Sequence, residues 1–233
     1  MKTVALVLAA GTGDRLGAGT PKALVPLRGR PMVLHALEVV AASGVADTVI
    51  LVVPDAARSG FESLVEERPQ VIRIQSLVTG GRTRQESVRL GLEAIGGDSD
   101  VVLCHDAARP LATAELFRRV VDGLGDVEGC VPVVPSPDTV KLVLGGRVRQ
   151  TLPRAQVGLA QTPQAFVLGA LREAHERALR QDEEGTDDAM LVEAAGYAVA
   201  AVEGELQNFK VTTPEDLRRA EQVLAERVEG ALR

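Results

Sequence analysis

The chain has 233 residues, and 45% of them are hydrophobic, which is enough to bury the core of one α/β domain. Its formal net charge of −6 argues against general binding to nucleic acid or to an anionic membrane, so any phosphate recognition must come from a local group of cations. The chain has no Trp and one Tyr, so a stacking surface for single-stranded nucleic acid is not expected.

Apolar runs typical of β-strands alternate with helical patterns along the chain. Strands are predicted at residues 3–8, 48–53, 71–78, 100–105, 128–134, 198–202 and 208–211. Helices are predicted at residues 31–42, 56–66, 83–95, 113–124, 167–180, 187–194 and 214–229. This alternation predicts an α/β fold with a mostly parallel twisted sheet, helices on both faces, and ligands at the carboxyl ends of the strands.

The first strand competes with another interpretation, a short signal peptide. Its positive region is the single residue Lys2, and the apolar run that follows is at the lower end of the usual length, so a strand is favoured. Cys104 and Cys130 lie in apolar runs without metal-ligand spacing, which indicates buried free thiols in a reducing compartment. We therefore expect a cytoplasmic protein.

A turn rich in small residues follows the first strand. Bulky anions can approach its backbone N–H groups because its members include Ala9, Ala10, Gly11 and Gly13. Arg15 and Lys22 place two cations beside the turn. The spacing matches neither the dinucleotide fingerprint nor the Walker A loop. We interpret the turn as a binding loop for a nucleoside triphosphate, with Arg15 and Lys22 on its phosphates.

A second glycine turn, Gly80-Gly81, separates a predicted strand from a predicted helix. Thr83 is placed to cap the helix, and Ser87 points back toward the turn from the first helical turns. The backbone here suits contact with a base or a ribose, but an ordinary capped turn is an equally good interpretation of this cluster alone.

The segment His105-Asp106-Ala107-Ala108-Arg109-Pro110 follows a buried strand. Asp106 and Arg109 either pair with each other or serve the site, where a carboxylate helps to hold Mg²⁺ or orients a substrate hydroxyl. His105 is expected to pack rather than to catalyse. His35 and His175 lie in predicted helices and receive no role.

Lys210 lies late in the last predicted strand, before a helix that Thr212 or Thr213 caps with Pro214 at its start. A Lys within an apolar strand is unfavourable unless it faces an anion or a cavity. Lys210 is therefore predicted to be a third phosphate-binding cation.

The segment 135–153 breaks the α/β pattern and reads as two short strands joined by a Gly-Gly turn. An isolated hairpin is marginal in water, so we expect it to be an arm that packs on another subunit. Packing on its own domain is the alternative. With no repeat or linker elsewhere, residues 1–233 are predicted to form one domain that carries this arm.

These motifs resemble the Rossmann-like nucleotidyltransferases, and more narrowly the 2-C-methyl-D-erythritol 4-phosphate cytidylyltransferase family. The resemblance runs from Val4 to about Leu217. The glycine turn with Pro21-Lys22 marks the broad class. Three further motifs mark the narrow family: residues 105–110, Gln-Thr-Pro-Gln at 161–164 and Phe-Lys-Val-Thr at 209–212.

The resemblance assigns roles residue by residue. It makes Arg15, Lys22 and Lys210 catalytic. Nucleotide contacts fall on Ala9, Ala10, Gly11, Gly81, Arg82, Ser87 and Ala107. Contacts with the methylerythritol phosphate fall on Asp106, Arg109, Thr139, Arg154, Thr162 and Thr186, of which Arg154 and Thr162 are lent to the neighbouring subunit of a homodimer. Asp188 is a departure, since Glu was expected there.

The implied reaction joins CTP and 2-C-methyl-D-erythritol 4-phosphate and releases pyrophosphate, with Mg²⁺ bound mainly by the CTP phosphates. A ribitol 5-phosphate cytidylyltransferase is the nearest alternative, because it shares the fold and the motifs. A nucleotide-binding regulator without turnover is a weaker one, since a sensor needs no pocket for a second anion.

Overall fold

The computed structural model describes residues 1–13, 16–17, 19–67, 74–97 and 99–231. Its strands are β1 Thr3–Leu8, β2 Pro26–Leu27, β3 Arg30–Pro31, β4 Thr48–Val53, β5 Ile74–Thr79, β6 Val101–Asp106, β7 Gly129–Pro135, β8 Lys141–Leu144, β9 Arg147–Thr151, β10 Gly158–Ala160, β11 Gln164–Val167 and β12 Val199–Glu203. Its α-helices are α1 Met32–Ser43, α2 Arg58–Glu66, α3 Arg84–Glu93, α4 Ala114–Asp122, α5 Leu168–Gln181, α6 Asp188–Ala194 and α7 Pro214–Ala231.

One eight-stranded sheet organises the fold. Its strands follow the order β5-β4-β1-β6-β11-β7, and β12 and β10 both pair with β7. The pairs β1–β4, β1–β6, β4–β5 and β7–β12 are parallel, whereas β10 and β11 run antiparallel to β7. The predicted mostly parallel α/β sheet is thereby confirmed. The carboxyl ends of β6, β1, β4 and β5 lie side by side at one edge.

The sheet is covered on both faces, as its apolar strands require. Along β1, Ala5 and Val7 belong to the core cluster on one face, while Val4 and Leu6 belong to the cluster on the other. None of these four side chains is more than 2% exposed. Strand side chains alternate in direction, so burial on both faces fixes the register of β1 against its neighbours. That register in turn fixes the position of its carboxyl end.

Two parts of the strand prediction are wrong. Residues 208–211 form no strand: the Val211 N–H donates to the Ala108 carbonyl oxygen, but the segment joins no strand ladder. Strands β10 and β11 were missed, because such short runs next to a helix lack a periodicity of their own. The predicted strand 71–78 is described only from Ile74 onward.

The predicted arm and the predicted thiols are present. Strands β8 and β9 form an antiparallel hairpin, and Gly145 and Gly146 turn between them at φ +57° and +71°. Cys104 and Cys130 are free and buried, and burial raises the pKa of the Cys130 thiol to about 11. Among the described helices, none has the length and the apolar character that a membrane crossing needs.

Candidate active site

A cavity of about 580 Å³ opens at the carboxyl edge of β1, β4, β5 and β6. Loops from distant parts of the chain form its walls. The lining residues are Leu8, Ala9, Ala10, Gly11, Thr12, Gly13, Lys22, Ala23, Pro54, Asp55, Gly80, Gly81, Arg82, Thr83, Arg84, Ser87, Asp106, Ala107, Ala108, Lys210 and Thr212. The fold therefore brings both glycine turns, the Asp106 segment and Lys210 to one place.

Most of the predicted site residues line this cavity. They are Ala9, Ala10, Gly11, Lys22, Gly81, Arg82, Ser87, Asp106, Ala107 and Lys210. Arg15 lies outside the described residues. The predicted residues that do not line the cavity are Arg109, Thr139, Arg154, Thr162 and Thr186.

The first glycine turn brings Lys22 to the cavity by close backbone contact. Gly13 has φ +79°, and a Cβ built on it would lie 2.7 Å from the Lys22 Cβ and 3.0 Å from the Lys22 Cα. Only glycine accepts both that φ and that approach without strain. Lys22 begins a short 3-10 turn, Lys22–Leu24, so the position of its stem depends on Gly13.

The second glycine turn packs directly on the first. A Cβ on Gly80 would lie 2.4 Å from the Ala10 Cβ and 2.9 Å from the Ser87 Oγ. Ser87 Oγ accepts a hydrogen bond from Gly81 N at 3.1 Å and donates to the Thr83 carbonyl oxygen at 2.9 Å. Thr83 Oγ1 caps α3 by accepting from Glu86 N at 3.1 Å. The predicted cap and the direction of Ser87 are confirmed.

Asp106 lies between two cations at the cavity wall. Its Oδ2 accepts from Lys210 Nζ at 2.6 Å, and its Oδ1 accepts from Arg84 Nε at 3.1 Å. Burial raises the pKa of Asp106, but Arg84 and Lys210 outweigh burial and hold that pKa well below its usual range. Asp106 is therefore a carboxylate in this site. Its partners are Arg84 and Lys210, so the simple pairing of Asp106 with Arg109 is wrong.

Arg109 instead turns toward backbone carbonyls. Its Nη1 donates to the Asn208 oxygen at 2.7 Å, and its Nη2 donates to the Ala160 oxygen at 3.3 Å. Burial lowers the pKa of this guanidinium, while nearby Asp106 acts in the opposite direction. Arg109 thus ties β10 to the segment that carries Lys210, and its positive charge stays near the site.

Thr162 lies against Asp106 of its own chain. Its hydroxyl accepts from Asp106 N at 3.0 Å and lies 3.3 Å from His105 Nδ1, and the residue is 5% exposed. The contact of Thr162 with a neighbouring subunit stays a prediction. His105 packs against Phe117 edge to face, with ring centroids 4.9 Å apart. Burial lowers the pKa of His105 to about 4, so the ring is neutral at pH 7 and packs in the core, as expected.

Thr139, Arg154 and Thr186 lie outside the cavity of their own chain. Thr139 is exposed beside the hairpin, and Arg154 Nη1 reaches the Pro137 oxygen at 3.4 Å. Arg154 lines a second cavity, together with Met190 of α6. Thr186 is exposed, with its hydroxyl 3.6 Å from Met190 Sδ. The three residues therefore lie on the surface near the arm and α6.

The sequence analysis missed Arg84, the side chain that holds Oδ1 of Asp106. Arg84 pairs with Asp106 and, through Nη2, with Asp188 Oδ2 at 2.8 Å. His175, which was given no role, is buried with its Nε2 3.2 Å from Asp188 Oδ1. One signal was available: Arg84 is the first residue of a helix that leaves a glycine turn, where side chains point at the strand ends.

The parallel sheet, two glycine turns and paired charges at the strand ends define a Rossmann-like α/β protein of the nucleotidyltransferase class. A family profile described as 2-C-methyl-D-erythritol 4-phosphate cytidylyltransferase matches residues 3–226. The chain belongs to that family.

Relatives of the same name support the assignment. The chain is 40% identical to the 2-C-methyl-D-erythritol 4-phosphate cytidylyltransferase of Halalkalibacterium halodurans, covering 97% of this chain and 99% of the relative. It is 41% identical to that of Geobacillus kaustophilus, covering 98% and 99%.

Two solved structures have the same fold. The 4-diphosphocytidyl-2C-methyl-D-erythritol synthase of Anaerococcus prevotii superposes with a TM-score of 0.86 at 31% identity, covering 96% of this chain and 98% of the other. The 2-C-methyl-D-erythritol 4-phosphate cytidylyltransferase of Thermus thermophilus superposes with a TM-score of 0.77 at 38% identity, with the same coverage.

Proposed function

We propose that this protein is a cytidylyltransferase that transfers CMP from CTP to 2-C-methyl-D-erythritol 4-phosphate. The products are 4-diphosphocytidyl-2-C-methyl-D-erythritol and pyrophosphate, in non-mevalonate isoprenoid biosynthesis. The observation that carries the proposal is the meeting of Lys22, Lys210 and Asp106 in one cavity whose floor is made of two glycine turns. A pocket with separate cations suits two phosphorylated reactants.

The reaction needs no nucleophile from the protein. A phosphate oxygen of the acceptor attacks the α-phosphorus of CTP, and the bond from that phosphorus to the bridging oxygen of the pyrophosphate breaks. Two polyanions must approach each other, so fixed positive charge and alignment lower the barrier. We assign Lys22 and Arg15 to the triphosphate and its leaving group.

Lys210 bridges the attacking phosphate and the α-phosphate in this mechanism. Its side chain is 40% exposed and its ammonium already lies at the cavity wall, on Asp106 Oδ2. Transfer of the ammonium from Asp106 to an incoming phosphate requires only rotation of a flexible stem. Asp106 then offers its freed oxygen to a hydroxyl of the polyol, and Arg109 supplies further positive charge from behind.

A divalent cation completes the charge balance. Within the described residues, no group of three or more His, Cys, Asp and Glu side chains is arranged to hold a metal ion. The donor set fits Mg²⁺ held mainly by phosphate oxygens, with Asp106 as the nearest protein oxygen we assign. A Mg²⁺ ion held there would neutralise negative charge on the triphosphate and on the departing pyrophosphate.

The nucleoside is assigned to the two touching glycine turns. Ala9, Ala10 and Gly11 form one side, and Gly81, Arg82 and Ser87 form the other. Ala107, which follows β6, also lines the cavity. These turns offer mainly backbone groups and leave little side-chain bulk, so a flat base fits between them. Base selectivity is carried over from the family.

We further propose a homodimer in which the arm 135–153 crosses to the neighbouring subunit. Its apolar side chains, exposed in the single chain, are Leu142, Val143, Leu144 and Val148. An unsupported two-stranded hairpin with such a surface gains stability by burial against a partner. Thr139 lies within the arm and Arg154 directly follows it, which in this proposal lets both enter the partner's cavity. The buried free thiols favour the cytoplasm as the location.

A pyrophosphate-release assay with four nucleoside triphosphates and two acceptors tests the proposed function. Rapid release is expected only with CTP plus 2-C-methyl-D-erythritol 4-phosphate. Faster release with ribitol 5-phosphate would show that the enzyme is a ribitol 5-phosphate cytidylyltransferase. CTP binding without pyrophosphate release with either acceptor would instead favour a nucleotide-binding regulator.

A further inference from the structure

Asp106 is linked to a chain of charged side chains that the proposed mechanism does not use. Arg84, the first residue of α3, joins Asp106 Oδ1 at 3.1 Å to Asp188 Oδ2 at 2.8 Å. Asp188 begins α6 and also lies 3.2 Å from His175 Nε2 on α5. Asp188 and His175 are 1% and 2% exposed, so neither can touch a substrate. Three helices, α3, α6 and α5, thus support one carboxylate.

Helix α3 is also bonded to the segment that precedes α6. Gln85 Nε2 donates to the Glu183 oxygen at 3.0 Å, and Gly185 N donates to Gln85 Oε1 at 2.9 Å. Two consecutive residues of α3 therefore grip the segment that leads into α6. This attachment fixes the distance between Arg84 and Asp188, so the guanidinium is held in place at the cavity wall.

The two oxygens of Asp106 have different cationic partners. Oδ1 is held by Arg84, whose guanidinium is neutralised from behind by Asp188, while Oδ2 is held by Lys210 at 2.6 Å. When Lys210 turns to a phosphate, Asp106 keeps a permanent counter-charge. Without Arg84, Lys210 would be the main partner of Asp106, and releasing it would leave a poorly solvated carboxylate.

We propose that Arg84, anchored by Asp188, is a positioning residue that keeps Asp106 oriented and compensated so that Lys210 can exchange Asp106 for the substrate phosphate. The proposal rests on the proposed function and adds to it a residue pair outside the family assignment used above. Asp188 acts only through Arg84, whereas Arg84 acts through Asp106.

The test compares Arg84→Gln, Asp188→Asn and the double variant in the full-length protein. For each variant we measure kcat and KM for the acceptor, and the Kd of CTP by calorimetry. The matched control is Arg89→Gln, which lies on the same helix, has similar exposure and pairs with Glu93 on the surface. The wild type is assayed first: if it releases no pyrophosphate, the proposed function fails, and this proposal is not what has been refuted.

Arg84→Gln is expected to lower kcat/KM for the acceptor by at least about 30-fold, and Asp188→Asn by about tenfold, with the CTP Kd changed less than twofold. The double variant should match Arg84→Gln alone, because Asp188 has no effect once Arg84 is gone. The double variant removes both charges of the Arg84–Asp188 pair and so leaves neither of them without its partner. Its kinetics can therefore still be measured if Asp188→Asn alone fails to fold.

Three results would overturn the proposal. Weakened CTP binding in Arg84→Gln would make Arg84 a direct triphosphate ligand. An additive loss in the double variant would show that Asp188 acts independently. A lower melting temperature with an unchanged kcat/KM for the acceptor, in either single variant, would show a purely structural role. Arg89→Gln should keep wild-type kinetics throughout.

Discussion

Gly13→Ala tests whether the glycine turn sets the position of Lys22. The Gly13 backbone has φ +79°, a conformation that costs an L-residue about 1–2 kcal/mol. The new Cβ would also lie 2.7 Å from the Lys22 Cβ, and ordinary contact begins at 3.4 Å, so Lys22 must move by about 0.7 Å. The Lys22 Cα lies 3.0 Å away as well, so rotation of the flexible end of the side chain gives no relief.

The displacement predicts a kinetic defect larger than the loss of stability suggests. A misplacement of about 1 Å in a reacting site reduces rates by on the order of 100-fold, so we expect kcat to fall about 30- to 100-fold. Strain and overpacking together predict a free energy of unfolding about 2–5 kcal/mol lower. Pyrophosphate release at saturating substrates gives kcat, and urea unfolding gives the stability.

Gly29→Ala is the matched control. Gly29 has φ +75°, nearly the same as Gly13, but a Cβ there would meet no atom within 4 Å. It should lose about 1–2 kcal/mol of stability from the backbone alone and keep wild-type kcat. If Gly13→Ala retains wild-type kcat while folded, the link between this turn and Lys22 is refuted. If both variants lose kcat equally, strain rather than displacement is responsible.

Three further predictions follow from the site. Lys210→Ala should lower kcat by at least about 100-fold in the pyrophosphate assay, since its charge acts on the transition state; near-normal turnover in folded protein would remove the mechanism. Mixing Arg154→Ala with Lys22→Ala should restore about a quarter of wild-type activity through hybrid dimers, and no recovery despite proven subunit exchange would contradict a shared site. Asp216→Asn should destabilise the fold by about 1 kcal/mol above pH 4. Burial raises the pKa of Asp216, but hydrogen bonds from Thr212 and Thr213 outweigh burial and lower that pKa to about 2. The carboxylate therefore stabilises the fold at any pH above its pKa in the unfolded chain. The difference in urea midpoint between wild type and variant should vanish as the pH falls from about 4 to 2. A difference independent of pH would count against this account.

Local features of the site were predictable because they depend on neighbours in the chain. The turn after β1, the Thr83 cap and the Gly145-Gly146 hairpin follow from glycine conformations, capping geometry and strand periodicity, all of which act over a few residues. The structure confirms these three features. Phosphate binding by Arg15, Lys22 and Lys210 was predicted from the residues themselves, and most other roles came from the family resemblance. All of these roles stay predictions until they are measured.

Strand pairing shows where periodicity was insufficient. β11 has four residues and merges in the sequence with the helix that follows, yet it lies antiparallel between β6 and β7. Thr162, just before β11, is thereby buried beside Asp106, whose N–H donates to the Thr162 hydroxyl. The segment 208–211 looked like a strand, but the positions beside the central strands were already occupied.

What the sequence determined by itself is the set of local pieces: apolar strands, glycine turns, helix caps and a hairpin, because each is specified by steric and hydrogen-bonding preferences between near neighbours. What the tertiary structure decided is the choice of charged partners. Asp106 bonds to Arg84 and Lys210, which lie 22 and 104 positions away along the chain, rather than to Arg109 three residues on. An ion pair forms only within about 4 Å. The packing of α3 on β1, β4 and β5 brings Arg84 that close, and the segment that bonds to Ala108 through Val211 brings Lys210.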